Sequence, residues 1–270
     1  MSVMITVEAI GDCLERLRER RPLVHNITNF VVMNFTANVL LALGASPAMV
    51  HAREEVEEFV GISSALVVNI GTLDAPWVAN MELAARRAVD KGIPWTLDPV
   101  GAGATAFRTR TALTLLSLRP SVLRGNASEV IALSGAAGHA PKGVDATASS
   151  ADAIEAAQQL ALSSGTIVAV TGMTDYVVGP QRRIAIAGGA SLTQSVTGTG
   201  CAVTACVGAF LGVEKGPTLA ATAALAVFKA ASAMAALRGE GPGTFQIALL
   251  DALHRLAPSD IGLHVKIKEA

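Results

Sequence analysis

One glycine-hinged segment suggests the fold class: Val196-Thr197-Gly198-Thr199-Gly200-Cys201, which continues into the apolar run Ala202-Val203-Thr204-Ala205-Cys206-Val207-Gly208-Ala209-Phe210-Leu211. The apolar run predicts a helix. Gly198 and Gly200 have no Cβ, so their backbone N–H groups can approach phosphate oxygens closely, and the unpaired N–H groups of a first helical turn attract anions. A short Gly-Thr-Gly turn often only ends a strand, so the segment alone leaves a plain turn equally open. If the segment is a phosphate site, Cys201 lies beside the phosphate.

Two carboxylates follow apolar runs farther upstream. Asp98 ends the run Ile93-Pro94-Trp95-Thr96-Leu97, and Glu129 comes shortly after Val122-Leu123. Strand ends of a parallel sheet meet at one edge, where ligands bind, and carboxylates suit Mg²⁺ held directly or through water. Each carboxylate also has a plain structural interpretation, a turn after Asp98 and a helix-capping box at residues 126–129. Their combination with the glycine loop favours nucleotide-phosphate chemistry.

Apolar runs alternate with stretches of helical period, which predicts a layered α/β fold. Helices are predicted at 76–91 and 151–163, and mostly helical structure at 202–256. Strands are predicted at 65–70, 93–97, 122–123, 167–170, 176–178 and 184–187. The alternation predicts parallel strands with right-handed crossovers and helices on both faces. The last two strands, joined by Gly179-Pro180-Gln181, predict an antiparallel hairpin at one edge.

Composition bounds the organisation and the partners. The chain has 270 residues, 51% of them hydrophobic, which is enough for a large core. No linker interrupts it, and the Ser/Ala/Gly-rich residues 135–150 are expected to be a surface connection with short structure of its own. A net charge of −1 gives no electrostatic reason to expect nucleic acid or an anionic membrane as partner. We therefore expect one domain spanning residues 1–270.

Cysteine use and hydropathy indicate a cytoplasmic protein. Cys13, Cys201 and Cys206 show neither a disulfide framework nor zinc-ligand spacing, which favours a reducing compartment. The first eight residues lack the features of a secretory signal. Residues 218–237 are apolar over a membrane-spanning length, but Lys229 interrupts them and alanine is only weakly lipophilic. A buried central helix is the preferred interpretation.

Several further motifs are spread in order over almost the whole chain. They are Pro22-Leu23-Val24-His25-Asn26-Ile27-Thr28-Asn29, Asn34-Phe35-Thr36-Ala37-Asn38, Leu41-Ala42-Leu43-Gly44-Ala45-Ser46-Pro47, Asn69-Ile70-Gly71-Thr72-Leu73, Leu97-Asp98-Pro99-Val100-Gly101-Ala102-Gly103-Ala104, Arg124-Gly125-Asn126-Ala127, Lys142-Gly143-Val144-Asp145 and Gly241-Pro242-Gly243-Thr244-Phe245-Gln246. With the Gly198–Cys201 loop, the set resembles the bacterial hydroxyethylthiazole kinase family of the ribokinase-like superfamily. The resemblance implies a three-layer α/β/α kinase domain over 1–270, with a mostly parallel central sheet and an antiparallel edge hairpin. It also implies ATP-dependent phosphorylation of 4-methyl-5-(2-hydroxyethyl)thiazole in thiamine synthesis or salvage.

The resemblance assigns roles to individual residues. It implies that Asp98 and Glu129 hold Mg²⁺. Contacts to ATP are expected from Arg124, Thr171 and Gly200, and contacts to the thiazole alcohol from Met49 and Gly198. Residues 25–38 are expected to border the same pocket, with no catalytic role for His25.

Cys201 takes the position where ribokinase-like kinases usually carry a catalytic Asp. A thiol at a helix N-terminus can have a lowered pKa, but the negative charge of ATP would offset that effect. Cys201 is therefore expected to be a weak base at most. Most of the rate acceleration should come from alignment of the reactants and from neutralisation of phosphate charge by Mg²⁺ and the loop N–H groups.

The resemblance also implies an assembly, and the chain departs from the family pattern at a few positions. Family members are homotrimers with the substrate pocket shared between subunits, so the same assembly is expected. Thr199, Met173 and Phe30 depart from the family pattern, and Met173 stands where an acidic residue is common. Two alternatives remain: a ribokinase-fold nucleotide-dependent dehydratase, and a nucleotide-binding sensor of weak catalytic power.

Overall fold

The computed structural model describes residues 5–138 and 150–270, which form one nine-stranded sheet between two layers of helices. The strands are β1 (Leu23–Ile27), β2 (Ser46–Met49), β3 (Ala65–Asn69), β4 (Trp95–Asp98), β5 (Val122–Asn126), β6 (Ile167–Thr171), β7 (Thr174–Val178), β8 (Arg183–Gly188) and β9 (Val265–Glu269). The helices are α1 (Val7–Arg20), α2 (Met33–Leu43), α3 (Val56–Ile62), α4 (Ala75–Lys91), α5 (Ala106–Leu116), α6 (Ala127–Ala136), α7 (Ser150–Ser164), α8 (Thr199–Leu211), α9 (Pro217–Ala236), α10 (Pro242–Arg255) and α11 (Pro258–His264), with a 3₁₀ helix at Ser191–Ser195.

The sheet order is β2-β1-β3-β4-β5-β6-β7-β8-β9. Neighbouring strands from β2 to β6 run parallel, and the pairs β6–β7, β7–β8 and β8–β9 are antiparallel. The parallel register aligns Asn69 with Asp98 and Asn126 with Thr171. Polar residues at the ends of adjacent strands are therefore side by side at one edge, as expected for an open parallel sheet.

Side-chain alternation along the strands divides the core into two halves. Val67 belongs to the half covered by α1, α2, α8, α9 and α10, whereas Leu66 and Val68 belong to the half covered by α3 to α7. Strands buried on both faces need apolar residues at successive positions, which β3 provides with Ala-Leu-Val-Val. The predicted three-layer α/β architecture is confirmed.

The predicted strands and helices are present, with boundaries shifted by a few residues, and the antiparallel hairpin is β7–β8. Three strands were not predicted. β1 carries the buried polar side chains His25 and Asn26, β2 is a short edge strand containing Pro47, and β9 pairs outside the hairpin after a long helical region. Most of the connection expected at 135–150 lies outside the described residues.

Helix α9 matches the apolar stretch predicted at 218–237. It is 20 residues long and, within the described residues, is the one helix apolar and long enough to cross a membrane. It packs against α8, α10 and α1, and every residue from Ala220 to Ser232 is buried. The helix is thus part of the protein core, as predicted.

Candidate active site

The glycine loop opens α8 in a conformation that requires glycine at its first hinge. Gly198 has φ +84°, in the left-handed region, and a Cβ there would lie 2.9 Å from Cγ1 of Val32. A Cβ on Gly200 would lie 3.0 Å from Nη1 of Arg124, so glycine also permits the close approach of this guanidinium. The Thr199 hydroxyl donates to the Thr193 carbonyl at 2.8 Å, which ties the glycine loop to the preceding 3₁₀ helix. The free N–H groups of α8 therefore open beside Arg124.

Asp98 is fully buried at the end of β4. Its Oδ2 accepts hydrogen bonds from Asn69 Nδ2 at 2.8 Å and Thr204 Oγ1 at 2.7 Å, and Nη1 of Arg124 lies 3.8 Å away. Its Oδ1 has no hydrogen-bond partner. Burial raises the pKa of Asp98 to about 6, and the nearby charge of Glu129 acts in the same direction, against the lowering effect of Arg124. One oxygen is thus fixed by protein donors, and the other has no protein donor.

A chain of side-chain amides connects Asp98 to the glycine loop. Asn69 Oδ1 accepts from the backbone N–H of Gly71, which fixes the amide so that Nδ2 faces Asp98. Asn29 Oδ1 accepts likewise from the backbone N–H of Val31, so its Nδ2 points at Asn69 Oδ1, 2.8 Å away. The same Nδ2 lies 3.5 Å from Sγ of Cys201. Because backbone donors cannot be reversed, this orientation of both amides is the one that satisfies them.

Cys201 lies in the first turn of α8 and is a neutral thiol. Burial raises its pKa to about 11, and the charge of Asp98 contributes in the same direction. A helix N-terminus can lower the pKa of a thiol, but at Cys201 desolvation outweighs that effect. A thiol with this pKa contributes almost no thiolate at neutral pH.

Glu129 forms the capping box that was one of its two interpretations. Its Oε2 accepts from the backbone N–H of Asn126 at 2.9 Å, and Asn126 Oδ1 accepts from the N–H of Glu129 at 2.9 Å. Its Oε1 accepts from the N–H of Gly101 at 2.9 Å, in the loop that follows Asp98. Glu129 therefore joins the ends of β4 and β5, and each of its oxygens keeps a second lone pair for a ligand.

A cleft of about 350 Å³ lies beside the glycine loop, with Thr199 and Gly200 in its lining. We call it the Arg124 cleft, and its lining includes Arg124, Thr171, Gly172, Gly200, Phe228 and Lys229. Arg124 is 9% exposed and donates a hydrogen bond from Nη2 to Oγ1 of Thr171. The residues predicted to contact ATP thus lie together around one cavity. A guanidinium beside free helix N–H groups suits a polyphosphate.

A model of the hydroxyethylthiazole kinase family matches residues 14–259. The chain belongs to the hydroxyethylthiazole kinase family. It is 50% identical over 266 residues to the hydroxyethylthiazole kinase of Syntrophus aciditrophicus, covering 98% of each chain. The solved hydroxyethylthiazole kinase of Pyrococcus horikoshii OT3 has a TM-score of 0.91 and 46% identity, over 97% of this chain and 99% of that one.

A more distant structural match indicates the wider fold. The pyridoxal kinase of Staphylococcus aureus, solved with AMP-PCP and pyridoxal, has a TM-score of 0.66 at 16% identity, over 92% of this chain and 99% of that one. This likeness shows a shared ribokinase-like fold. The resemblance deduced from the motifs, the fold class and the assignment as a kinase are all confirmed.

In this member of the hydroxyethylthiazole kinase family, the two residues predicted to contact the thiazole belong to different elements, Gly198 to the start of α8 and Met49 to the end of β2. Gly198 packs against Val32 and Phe35, within the 25–38 segment. Met49 is half-buried at the end of β2, three strand spacings from β4, or about 14 Å. Met49 pairs with Asn26, which belongs to the 25–38 segment expected to border the pocket.

The donor set of this kinase is compatible with Mg²⁺. Among the described residues, no group of three or more His, Cys, Asp or Glu side chains is placed to hold a metal ion. Mg²⁺ in phosphoryl-transfer sites uses one or two carboxylates together with phosphate oxygens and water. The unpartnered Oδ1 of Asp98, together with the carboxylate of Glu129, whose charge acts on Asp98, fits that pattern.

The structure of this kinase also contains site residues for which the sequence predicted no role. Asn69 and Thr204 fix Asp98, although Asn69 stood in a recognised motif. Arg108 donates to the carbonyls of Ile70, Gly71 and Val100 at 2.7–2.8 Å, which joins the loops after β3 and β4. Lys229 lines the Arg124 cleft, and its signal in the sequence was a single charge within an apolar helix.

Proposed function

We propose that this chain transfers the γ-phosphoryl group of ATP to the hydroxyl of 4-methyl-5-(2-hydroxyethyl)thiazole, giving the thiazole phosphate and ADP in thiamine synthesis or salvage. Family membership over almost the whole chain supports the substrate. The observation that carries the mechanism is the position of the α8 N-terminus. It lies between the Arg124–Thr171 pair on one side and the Asn29–Asn69–Asp98 chain on the other.

The transfer is an in-line displacement. The hydroxyl oxygen bonds to the γ-phosphorus, the bond to the β,γ-bridging oxygen breaks, ADP leaves with that electron pair, and the hydroxyl proton is released. The transition state of such transfers is loose and needs little help from a base. The N–H groups of Gly200 and Cys201 and the guanidinium of Arg124, which lies beside Gly200, are proposed to bind the charge on the transferred group. The Arg124 cleft would hold the rest of the nucleotide.

Asp98 and Glu129 are the proposed Mg²⁺ ligands, directly or through water. When bound, the ion neutralises charge on the β- and γ-phosphates. Asn69 and Thr204 hold Asp98 so that Oδ1 is available, and the N–H groups of Gly101 and Asn126 hold Glu129. These contacts orient both carboxylates before any ligand enters.

Cys201 is proposed to contact the acceptor hydroxyl as a thiol. Its raised pKa, about 11, argues against a thiolate base at neutral pH. Its contribution is therefore shape and a weak hydrogen bond, while alignment supplies most of the acceleration. Met49 and Gly198 are proposed to contact the thiazole ring.

A homotrimer with substrate pockets shared between subunits is the proposed assembly. The exposed Phe30 and Val31, at 62% and 65%, directly follow Asn29 and offer an apolar surface that a neighbouring subunit would cover. The cytoplasm is the proposed location, since all three cysteines are free and two are buried. Light scattering at several protein concentrations tests the trimer by its mass.

The activity is tested with purified protein, Mg-ATP and the thiazole alcohol, following products by mass spectrometry. The proposal predicts thiazole phosphate and ADP in equal amounts. Hydrated nicotinamide nucleotide, offered in the same assay, should give no dehydrated product. Nucleotide binding without turnover of the thiazole would contradict the proposed function and favour a sensor.

A further inference from the structure

The ammonium group of Lys229 is surrounded by four protein oxygens. Its Nζ lies 3.2 Å from the carbonyl oxygens of Gly172 and Gly188, 3.1 Å from that of Met173, and 3.2 Å from Oδ1 of Asp175. Lys229 is 8% exposed and Asp175 is 4% exposed. The charge in the middle of the apolar helix α9 is therefore compensated by one carboxylate and three carbonyls.

These oxygens come from two different segments of the sheet. Gly172, Met173 and Asp175 belong to the turn between β6 and β7 and to the start of β7, and Gly188 ends β8. Removing charges from water is costly, and an apolar side chain in their place often gives equal or greater stability. The pair is thus weakly explained by stability alone. Its clear structural effect is to join these two segments through one side chain.

The joined segments form a wall of the Arg124 cleft. Lys229, Gly172, Asp175 and Gly188 all line it. The peptide groups of Gly172 are held on both sides, because its N–H donates to Asp175 Oδ1 at 2.9 Å while its carbonyl accepts from Lys229. The preceding residue is Thr171, whose hydroxyl accepts from Arg124. Lys229 therefore fixes the backbone next to a predicted ATP contact.

We propose that Lys229 is a positioning residue for the nucleotide, an inference that rests on the proposed function of the Arg124 cleft. An ammonium has three N–H donors, and here four protein oxygens already surround it. It has no donor to spare for a phosphate, so it acts through the wall that it joins. Loss of the ammonium should release the turn at Gly172 and the end of β8. Nucleotide affinity should fall, while binding of the thiazole, on the Asn29 side of the glycine loop, should not change.

The test compares Lys229→Ala with Leu225→Ala, one helical turn earlier. Leu225 is buried in the same helix but does not line the cleft, so its variant measures general loss of packing. We expect Lys229→Ala to raise the Kd for Mg-ATP at least tenfold with little change in KM for the thiazole alcohol. Leu225→Ala should lower Tm with an unchanged Kd. Lys229→Met keeps most of the apolar stem and should show the same loss of affinity. It replaces the alanine variant in the test if that variant fails to fold.

Chemical rescue separates positioning from packing. Ethylammonium supplies an ammonium group and a short stem, and should restore nucleotide affinity to Lys229→Ala but not to Lys229→Met, where the thioether chain fills the space. Tetramethylammonium has no N–H donor and should have no effect. A Lys229→Met variant with wild-type Kd, or equal weakening of nucleotide and thiazole binding in either variant, would overturn the inference. If the wild-type protein itself bound no nucleotide, the proposed function of the cleft would fail first.

Discussion

Asn29 donates from Nδ2 to Asn69 Oδ1 at 2.8 Å and contacts Cys201 Sγ at 3.5 Å, across 172 residues of sequence. This relationship joins the Asn-rich amino-terminal motif to the glycine loop. Through Asn69 it extends to Asp98. The acceptor side and the metal side of the proposed site therefore share one buried hydrogen-bond chain, whose geometry depends on every member.

Replacing Asn69 with Leu should lower kcat by about ten- to a hundredfold, since a hydrogen bond to a charged group contributes about 1.5–3 kcal/mol. Leu has nearly the same shape but leaves Asp98 Oδ2 with Thr204 as its remaining close donor. Steady-state kinetics measure the effect. Asn80→Leu is the control, because Asn80 donates only to the carbonyl of His51, away from Asp98. Equal kcat values in the two variants would refute the role of Asn69.

Replacing Cys201 with Ala should leave substantial activity, because a neutral thiol with a pKa of about 11 is not the source of the rate. Cys201→Asp should preserve or raise kcat by providing the carboxylate that related kinases carry. Single-turnover measurements at saturating ATP separate the chemical step from product release. Cys206→Ala, in the core of the same helix, should lower Tm without changing the rate. Complete inactivity of Cys201→Asp would count against the proposed position of the acceptor hydroxyl.

Replacing Glu129 with Gln should cut the rate at least tenfold and raise the Mg²⁺ concentration needed for half-maximal activity. The change removes a carboxylate and leaves one of two backbone donors facing an NH₂ group. The lost contacts should also reduce the free energy of unfolding by about 1–3 kcal/mol, which lowers Tm by a few degrees. Titration of Mg²⁺ at constant ATP gives the metal effect. Glu82→Gln, which loses only a 3.8 Å surface pair with Arg86, should change neither quantity.

His25 should make the protein sensitive to acid. Burial lowers the pKa of His25 to about 4, and its Nε2 lies 2.7 Å from the Val50 carbonyl. Between pH 6.5 and 4 the unfolded chain therefore binds a proton that the folded chain does not, so stability falls as the pH is lowered through this window. The loss should reach at most about 3 kcal/mol.

Urea unfolding at several pH values measures the contribution of His25. His25→Gln keeps a donor for Val50 but cannot titrate, so its free energy of unfolding should decline less steeply from pH 6.5 to 4. An unchanged slope in His25→Gln would show that His25 is protonated without cost in the fold.

The sequence predicted the parts of this molecule that depend on local pattern. The apolar runs before Asp98 and Thr171 predicted buried parallel strands, and the glycines at 198 and 200 predicted the loop that opens α8. β1 could not be recognised in this way, since His25 and Asn26 interrupt its apolar pattern and are accommodated only by tertiary contacts.

Properties that depend on burial and on distant neighbours needed the structure. The residue type of Cys201 left the direction of its pKa shift open, and desolvation beside Asp98 decides it. In the sequence, Lys229 is a charge that interrupts an apolar helix. The four oxygen atoms around its ammonium group come from distant segments and are known only from the structure. For Glu129, the capping box and a role at the site both fit the residue pattern, and one carboxylate has contacts compatible with both.

Asp98, Glu129 and Cys201 should surround a single triphosphate tail. A crystal structure with Mg²⁺, a non-hydrolysable ATP analogue and the thiazole alcohol would test this arrangement. We expect the γ-phosphate at the N–H groups of Gly200 and Cys201, with the metal on the Asp98 and Glu129 side and the thiazole hydroxyl within reach of the phosphorus. A triphosphate bound elsewhere, with Asp98 still buried and without contact to metal or its waters, would contradict it.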